Sequence, residues 1–129
     1  MEMPVFERNF DGFMSYLRDI ETNSATISPK RFGVALRLDM QTLANKAHVH
    51  RNTISRAPES ENIQQYLRDS LRVIRAATDI AGSVENAIYW YKNYPLPTFD
   101  YRTSEDLVSE GRADALIRYI QSLQAGFAG

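Results

Sequence analysis

Residues 82–129 read GSVENAIYWYKNYPLPTFDYRTSEDLVSEGRADALIRYIQSLQAGFAG, and this stretch decides the fold that the sequence predicts. Apolar residues recur at helical spacing on both sides of a central segment that contains Pro95 and Pro97. Proline has no amide hydrogen and clashes with the preceding helical turn, so it ends the first helix. The pattern predicts a helix, a proline-broken loop, a short helix and a final amphipathic helix.

The short helix has a start signal and a stop signal. Thr103 with Asp106 resembles a capping box, in which Asp replaces the usual Glu or Gln. Gly111 can adopt the left-handed conformation that closes a helix. We expect the two flanking helices to bury Val84, Ala87, Ile88 and Tyr91 in the first, and Ala113, Leu116, Ile117, Ile120 and Leu123 in the last.

Residues 1–27 predict an amphipathic helix followed by a linker. Apolar residues recur at steps of four and three, which places them on one face of a helix, and 21–28 are polar and small. Such a face is typical of a core or a dimer contact. It is formed by Phe6, Phe10, Phe13, Leu17 and Ile20.

Residues 28–81 predict four more helices. Ser28 can cap the first because its hydroxyl can accept from an orphan amide, and Pro29 suits the first helical position. Asp39 is expected to cap the second. The predicted helices span residues 29–38, 40–47, 51–56 and 61–80, and the longest buries Ile63, Leu67, Leu71, Ile74 and Ala77. No stretch alternates for long with period two, so the sequence predicts an all-α fold.

The composition is that of a globular protein. Hydrophobic residues make up 43% of the 129 residues and charged residues 24%. Cysteine is absent, which excludes disulfides and thiolate metal sites. The sequence lacks an apolar run near the roughly 20 residues of a membrane span, and its first residues lack the layout of a signal peptide. We therefore expect a cytoplasmic protein without a membrane partner.

The charge is unevenly distributed. Residues 30–75 carry nine Lys and Arg against four Asp and Glu, a net charge of +5, whereas 1–29 and 76–129 each carry −3. A basic centre suggests a local anionic partner; chance together with solvated helix faces is the alternative. The stripe of Arg68, Arg72 and Arg75 has the same two interpretations, a phosphate-binding face or a solvated one.

Residues 40–56, MQTLANKAHVHRNTISR, have the pattern of a helix-turn-helix. Such a motif needs apolar contacts where its helices meet, a small residue at their crossing and a turn. Ala44 provides the small residue. The turn position that is usually glycine is His48, which tolerates a positive φ only at some cost. The apolar contacts are Leu43, Ala47, Val49 and Ile54.

The predicted recognition helix is 51–56. Arginine can pair with guanine and asparagine with adenine in the major groove, and cationic or amide side chains elsewhere contact phosphate. A helix-turn-helix that does not bind DNA is the alternative. The candidate DNA-binding residues are Gln41, Lys46, Arg51, Asn52, Thr53, Ser55 and Arg56, with Lys30 and Arg31 as further phosphate contacts.

Seven positions carry a family resemblance, namely Ala87, Trp90, Pro95, Thr103, Leu107, Gly111 and Gly126. In this pattern residues 82–129 resemble the C-terminal toxin-binding domain of the Xre/MbcA/ParS antitoxin family, and the helix-turn-helix resembles that of the Xre family. The likeness covers roughly residues 30–129. Family members usually have Thr-Pro where this chain has Thr103-Ser104, a mild departure because serine also suits a first helical turn.

The resemblance implies an antitoxin of a type II toxin–antitoxin pair. Its partner would be a RES-domain toxin that degrades NAD or transfers ADP-ribose from it, and the antitoxin would cover the toxin's NAD pocket. It further implies that the chain forms a homodimer that binds operator DNA and thereby represses its own operon. We expect the toxin-binding residues to be exposed, although aromatic residues among them could instead fill the core. They are Asn93, Tyr94, Pro95, Phe99, Arg102, Glu105, Arg112, Arg118, Gly126 and Phe127.

The alternative is a stand-alone helix-turn-helix regulator whose C-terminal module only dimerises or senses a ligand. An enzyme is not expected, because the sequence has no glycine-rich phosphate loop and no histidine outside the helix-turn-helix. His48-x-His50 lacks the further ligands of a metal site, so neither a metal nor a cofactor is predicted.

Overall fold

The computed structural model describes residues 9–18 and 25–128, with backbone only at 127–128. Phe6 and Ile20 of the predicted N-terminal face lie outside these residues. Within the described part every regular element is helical, which confirms the all-α prediction. The helices are α1 (Phe10–Leu17), α2 (Pro29–Leu36), α3 (Met40–Ala47), α4 (Arg51–Arg56), α5 (Glu61–Ala81), α6 (Val84–Asn93), α7 (Ser104–Ser109) and α8 (Ala113–Ala128), with a 3-10 turn at Pro97–Phe99.

The chain divides into two compact units, residues 1–68 (unit 1) and 69–129 (unit 2). The division falls inside α5, whereas the sequence places a region boundary after residue 81. No helix in the described ranges is both long enough and apolar enough to cross a membrane.

The helix starts in unit 1 follow the predicted caps. The Ser28 hydroxyl accepts from the Arg31 amide at 3.2 Å. The Asp39 carboxylate accepts from the Thr42 amide at 2.7 Å, so both predicted caps are confirmed. Helix α2 ends at Leu36 and not at Leu38, because Arg37 adopts the left-handed conformation with φ 56°.

Unit 1 packs α1 on α2, α2 on α3 and α3 on α4. Its segments are also joined by Gln64, a buried amide on α5. The Gln64 side chain accepts from the Ile27 amide at 3.0 Å and donates to the carbonyls of Ile27 and Pro58, both at 2.9 Å. The largest fully buried side chains of this unit are Phe13, Leu17, Phe32, Leu36, Leu43, Ile63 and Leu67.

Unit 2 packs α6 on α7 and α7 on α8. The Thr103 hydroxyl accepts from the Asp106 amide at 3.2 Å, and Gly111 closes α7 with φ 82°, as the sequence predicts. Val84, Ala87, Ile88 and Tyr91 are buried on α6, also as predicted. On α8 the prediction holds for Ala113, Leu116 and Ile120, but it was wrong for Ile117 and Leu123, which are half-buried.

Candidate binding surfaces

The turn between α3 and α4 is closed by a Schellman motif. The His48 amide donates to the Asn45 carbonyl at 3.2 Å, and the Val49 amide donates to the Ala44 carbonyl at 3.0 Å. His48 has φ 58°, so it occupies the left-handed position at which the sequence analysis expects strain. Ala44 and Ile54 are buried where the helices meet.

An open, mainly polar groove lies between α3 and α4. It brings together three of the predicted DNA-binding residues, Gln41, Arg51 and Asn52. Ser55 and Arg56 are exposed but do not line it, and Lys46 and Thr53 are half-buried. The groove is lined by Gln41, Asn45, His48, Val49, His50, Arg51 and Asn52.

Three polar groove residues, Asn45, His48 and His50, are absent from the predicted set. The Gln41 amide nitrogen donates to the Asn45 side-chain oxygen at 3.0 Å, so the two form one polar surface on α3. The spacing of four residues places both on the same helix face, and this signal could have identified Asn45 from the sequence.

The Asp39 carboxylate lies close enough to the groove to be affected by the charge of Arg51. Hydrogen bonds from the Thr42 amide and hydroxyl hold the pKa of Asp39 below its usual range, and the positive charge of Arg51 lowers it further. Arg31 is engaged elsewhere, since its guanidinium donates to the Tyr16 carbonyl at 2.8 Å and lies over the Tyr16 ring.

The arginine stripe on α5 is largely ion-paired. In unit 1, Arg68 contacts Glu61 at 2.6 Å. In unit 2, Arg72 contacts Asp114 at 2.9 Å and Asp69 at 3.2 Å, and the hydrogen bond to Asp114 is the main cause that raises the pKa of Arg72. These pairs favour the solvated face over the phosphate-binding face.

The loop after α6 carries the exposed candidates of unit 2. Tyr94 is 50% exposed and stacks on Trp90, with ring centroids 6.2 Å apart. The Asn93 side chain donates to the Tyr89 carbonyl at 3.0 Å, and Pro95 is exposed. All three residues are exposed at the end of α6.

Phe99 was predicted to be exposed, but it is half-buried. Its ring packs edge-on against Tyr119 at 5.6 Å, and the Arg112 guanidinium lies over it at 5.2 Å. Phe99 therefore joins the loop to α8. Nearby in sequence, the exposed Arg102 forms an ion pair with Glu110.

The prediction that Glu105 is exposed was wrong, since the residue is only 7% exposed. Helix α7 has six residues and packs against both α6 and α8, which leaves few outward positions. Arg118 is exposed on α8. Gly126 is exposed but lies within α8, so the predicted Gly-Phe tail is helical, and the Phe127 side chain lies outside the described residues.

Two exposed aromatic residues are missing from the predicted set. Tyr89 is 71% exposed on α6, opposite the buried face that the sequence identifies, so the helical pattern contained the signal. Tyr101 is 70% exposed, and both it and Asp100 have left-handed backbones, with φ 64° and 57°. No periodic pattern predicts the conformation of such a loop.

Trp90 also has a packing role within unit 2. It lines an apolar pocket of about 110 Å³ with Ala77, Ile80, Ala81, Ile120 and Leu123.

In the described part of the chain, no three His, Asp or Glu side chains come together as metal ligands would. No protein-family model, curated protein or solved structure matches this chain.

Proposed function

We propose that this chain is the antitoxin of a type II toxin–antitoxin pair, in which unit 2 binds a RES-domain toxin and unit 1 binds operator DNA. The observation that carries the proposal is a pair of exposed aromatic side chains on the loop that follows α6 in unit 2. Tyr94 and Tyr101 are 50% and 70% exposed. Exposed aromatic residues are typical anchors of protein interfaces.

Four of the seven motif residues support the proposal because they hold the helices on either side of this loop. Ala87 and Leu107 are fully buried, Thr103 caps α7, and Gly111 closes it in the left-handed conformation. These four residues therefore stabilise α6 and α7. The loop of residues 94–102, which lies between these helices, supplies the contacts to a partner.

The antitoxin would act by occlusion. A surface that covers the NAD pocket prevents the substrate from entering, so the toxin is inactive whatever its chemistry. This mechanism requires no catalytic group on the antitoxin.

The test is to purify the full-length chain together with the product of the adjacent gene and to measure NAD consumption. We expect a stable complex and loss of NAD consumption when the chain is added in excess. If the two proteins do not associate, or NAD is consumed at the same rate with and without the chain, the proposal is wrong.

The groove in unit 1 supports the DNA-binding part of the proposal. Arg51 and Arg56 provide a matched pair of variants, because both are exposed arginines on α4 but only Arg51 lines the groove. Arg51→Ala should weaken binding to the operon's own promoter by about 1–3 kcal/mol and relax base preference. Arg56→Ala should mainly reduce the salt dependence, as the loss of a phosphate contact does.

A stand-alone transcriptional regulator is the second candidate, and the same groove favours it. Promoter binding without toxin binding would establish that function in place of the antitoxin. Both candidates predict a homodimer, since a two-fold symmetric reader matches a palindromic site.

A further inference from the structure

The loop that follows α6 is closed on itself by backbone hydrogen bonds. The amide of the buried Leu96 donates to the Arg102 carbonyl at 2.9 Å, and the Leu96 carbonyl accepts from the amides of Phe99 and Tyr101 at 2.9 and 2.8 Å. The Asp100 amide donates to the Pro97 carbonyl at 3.3 Å. The tip of this loop is therefore fixed by the backbone.

Two consecutive residues at the tip, Asp100 and Tyr101, have left-handed backbones although neither is glycine. Glycine adopts this conformation without steric cost, whereas a Cβ adds a cost that is smaller for Asp than for Tyr. Both side chains are exposed, so neither is needed to fill the core. Two consecutive non-glycine residues in this conformation, one of them an exposed aromatic, point to a role outside folding.

We infer that Asp100 and Tyr101 are the part of the chain that enters the toxin's dinucleotide cleft, in which they stand in for the substrate. The inference rests on the proposed function and deepens it. The Tyr101 ring would occupy a flat, apolar subsite that holds an aromatic base or the nicotinamide ring. The Asp100 carboxylate would occupy a subsite that holds a phosphate.

The chemistry of the tip fits such a cleft. Dinucleotide phosphates are bound by backbone amides or cationic side chains, which also attract a carboxylate. The rings of the substrate lie between apolar walls, which also suit a phenol ring. The tip presents an aromatic ring and an anion on adjacent residues, and the closed loop holds both before binding, which lowers the entropy cost of association.

The experiment measures inhibition of NAD consumption by the full-length chain, with the purified product of the adjacent gene as the enzyme. Tyr101→Gly should raise the inhibitor concentration needed for half-inhibition roughly 30-fold, the loss expected for an interface anchor. Asp100→Asn should raise it about tenfold, as a lost charge-assisted contact does. Inhibition by the wild-type chain should be competitive with NAD.

Tyr89→Ala is the matched control, because Tyr89 has the same side chain and nearly the same exposure but lies on a regular helix. It should change inhibition by less than about threefold, and so should Tyr101→Phe, which keeps the ring. The thermal midpoint of Tyr101→Gly should equal or exceed that of the wild type, because glycine relieves the strain.

The two proposals fail in different ways. If the wild-type chain does not inhibit the enzyme, the proposed function is wrong and this inference falls with it. If the wild type inhibits and both Tyr101→Gly and Asp100→Asn inhibit equally well, the antitoxin function stands and the substrate-like tip is wrong. Inhibition that does not compete with NAD, or a lower thermal midpoint for Tyr101→Gly, would also overturn the inference.

Discussion

Replacement of His48 by glycine should stabilise the protein. His48 closes α3 in the left-handed conformation, with φ 58° and ψ 41°. A residue with a Cβ costs about 1–2 kcal/mol in this conformation, and glycine removes that cost. Glycine in turn costs about 0.5–1 kcal/mol, because it makes the unfolded chain more flexible. The difference is a net gain of about 0.5–1 kcal/mol, or a few degrees in thermal midpoint by the usual proportionality.

The chain contains its own reciprocal variant. Gly111 closes α7 with the same two hydrogen bonds as His48, from its own amide to Val108 and from the Arg112 amide to Leu107, at 3.0 and 2.9 Å. A Cβ added at Gly111 would meet no atom within 4 Å, so Gly111→Ala introduces backbone strain without a clash. We expect Gly111→Ala to lower the free energy of unfolding by about 1 kcal/mol.

Urea unfolding followed by far-UV circular dichroism measures these differences. His48→Ala is the control, because it removes the imidazole and its contacts but keeps the strained φ. His48→Gly must therefore be more stable than His48→Ala as well as more stable than the wild type. Equal stability of His48→Gly and His48→Ala, or an unchanged stability of Gly111→Ala, would refute the assignment of strain to the left-handed helix ends.

Three further perturbations test other parts of the structure. The pKa of Asp39 is lowered in the folded state, so its ionised form stabilises the fold above the unfolded pKa of about 4. This contribution is lost as the pH falls through the folded pKa. The difference in urea midpoint between the wild type and Asp39→Asn, whose side-chain amide still caps the helix, should therefore shrink on acidification. Phe99→Ala should lower the free energy of unfolding, measured with urea, by about 1–2 kcal/mol, because the ring joins the loop to Tyr119. Loss of partner binding at unchanged stability would contradict this packing role. Glu105→Arg should lower the free energy of unfolding by more than about 2 kcal/mol because the site is buried, whereas Asp79→Arg at an exposed site should change it by less than about 0.5 kcal/mol. Equal effects of the two substitutions would contradict the burial of Glu105.

The helices and most of their ends could be predicted because their signals are local. Ser28, Asp39 and Thr103 each accept from the amide three residues later, so one residue type at one position is enough to set a helix start. The buried face of α5 likewise follows from apolar spacing alone. The end of α2 was missed because Arg37 gives no sequence signal for a left-handed residue.

The binding surfaces could be predicted only in part, because burial on short elements depends on neighbours distant in the sequence. Glu105 is polar and lies just after a cap, as surface residues often do, but its helix packs against both α6 and α8. Phe99 lies in a polar loop and is nevertheless held by Tyr119 and Arg112. Periodicity describes one element at a time, so it cannot show which outward position a second element will cover.

Unit 2 uses two different solutions where its backbone turns left-handed. Gly82 and Gly111 stand where a helix only needs to end, and each has open space around its Cα. At the loop tip the same unit places Asp100 and Tyr101 in that conformation, with both side chains exposed. Within unit 2 these glycines end helices, whereas Asp100 and Tyr101 form the loop tip, and this difference supports the role proposed for their side chains. A left-handed backbone alone does not indicate a binding role. Arg37 has the same backbone geometry as His48 but lies outside the groove. Arg37→Gly should therefore stabilise unit 1 as His48→Gly does, and leave promoter binding unchanged.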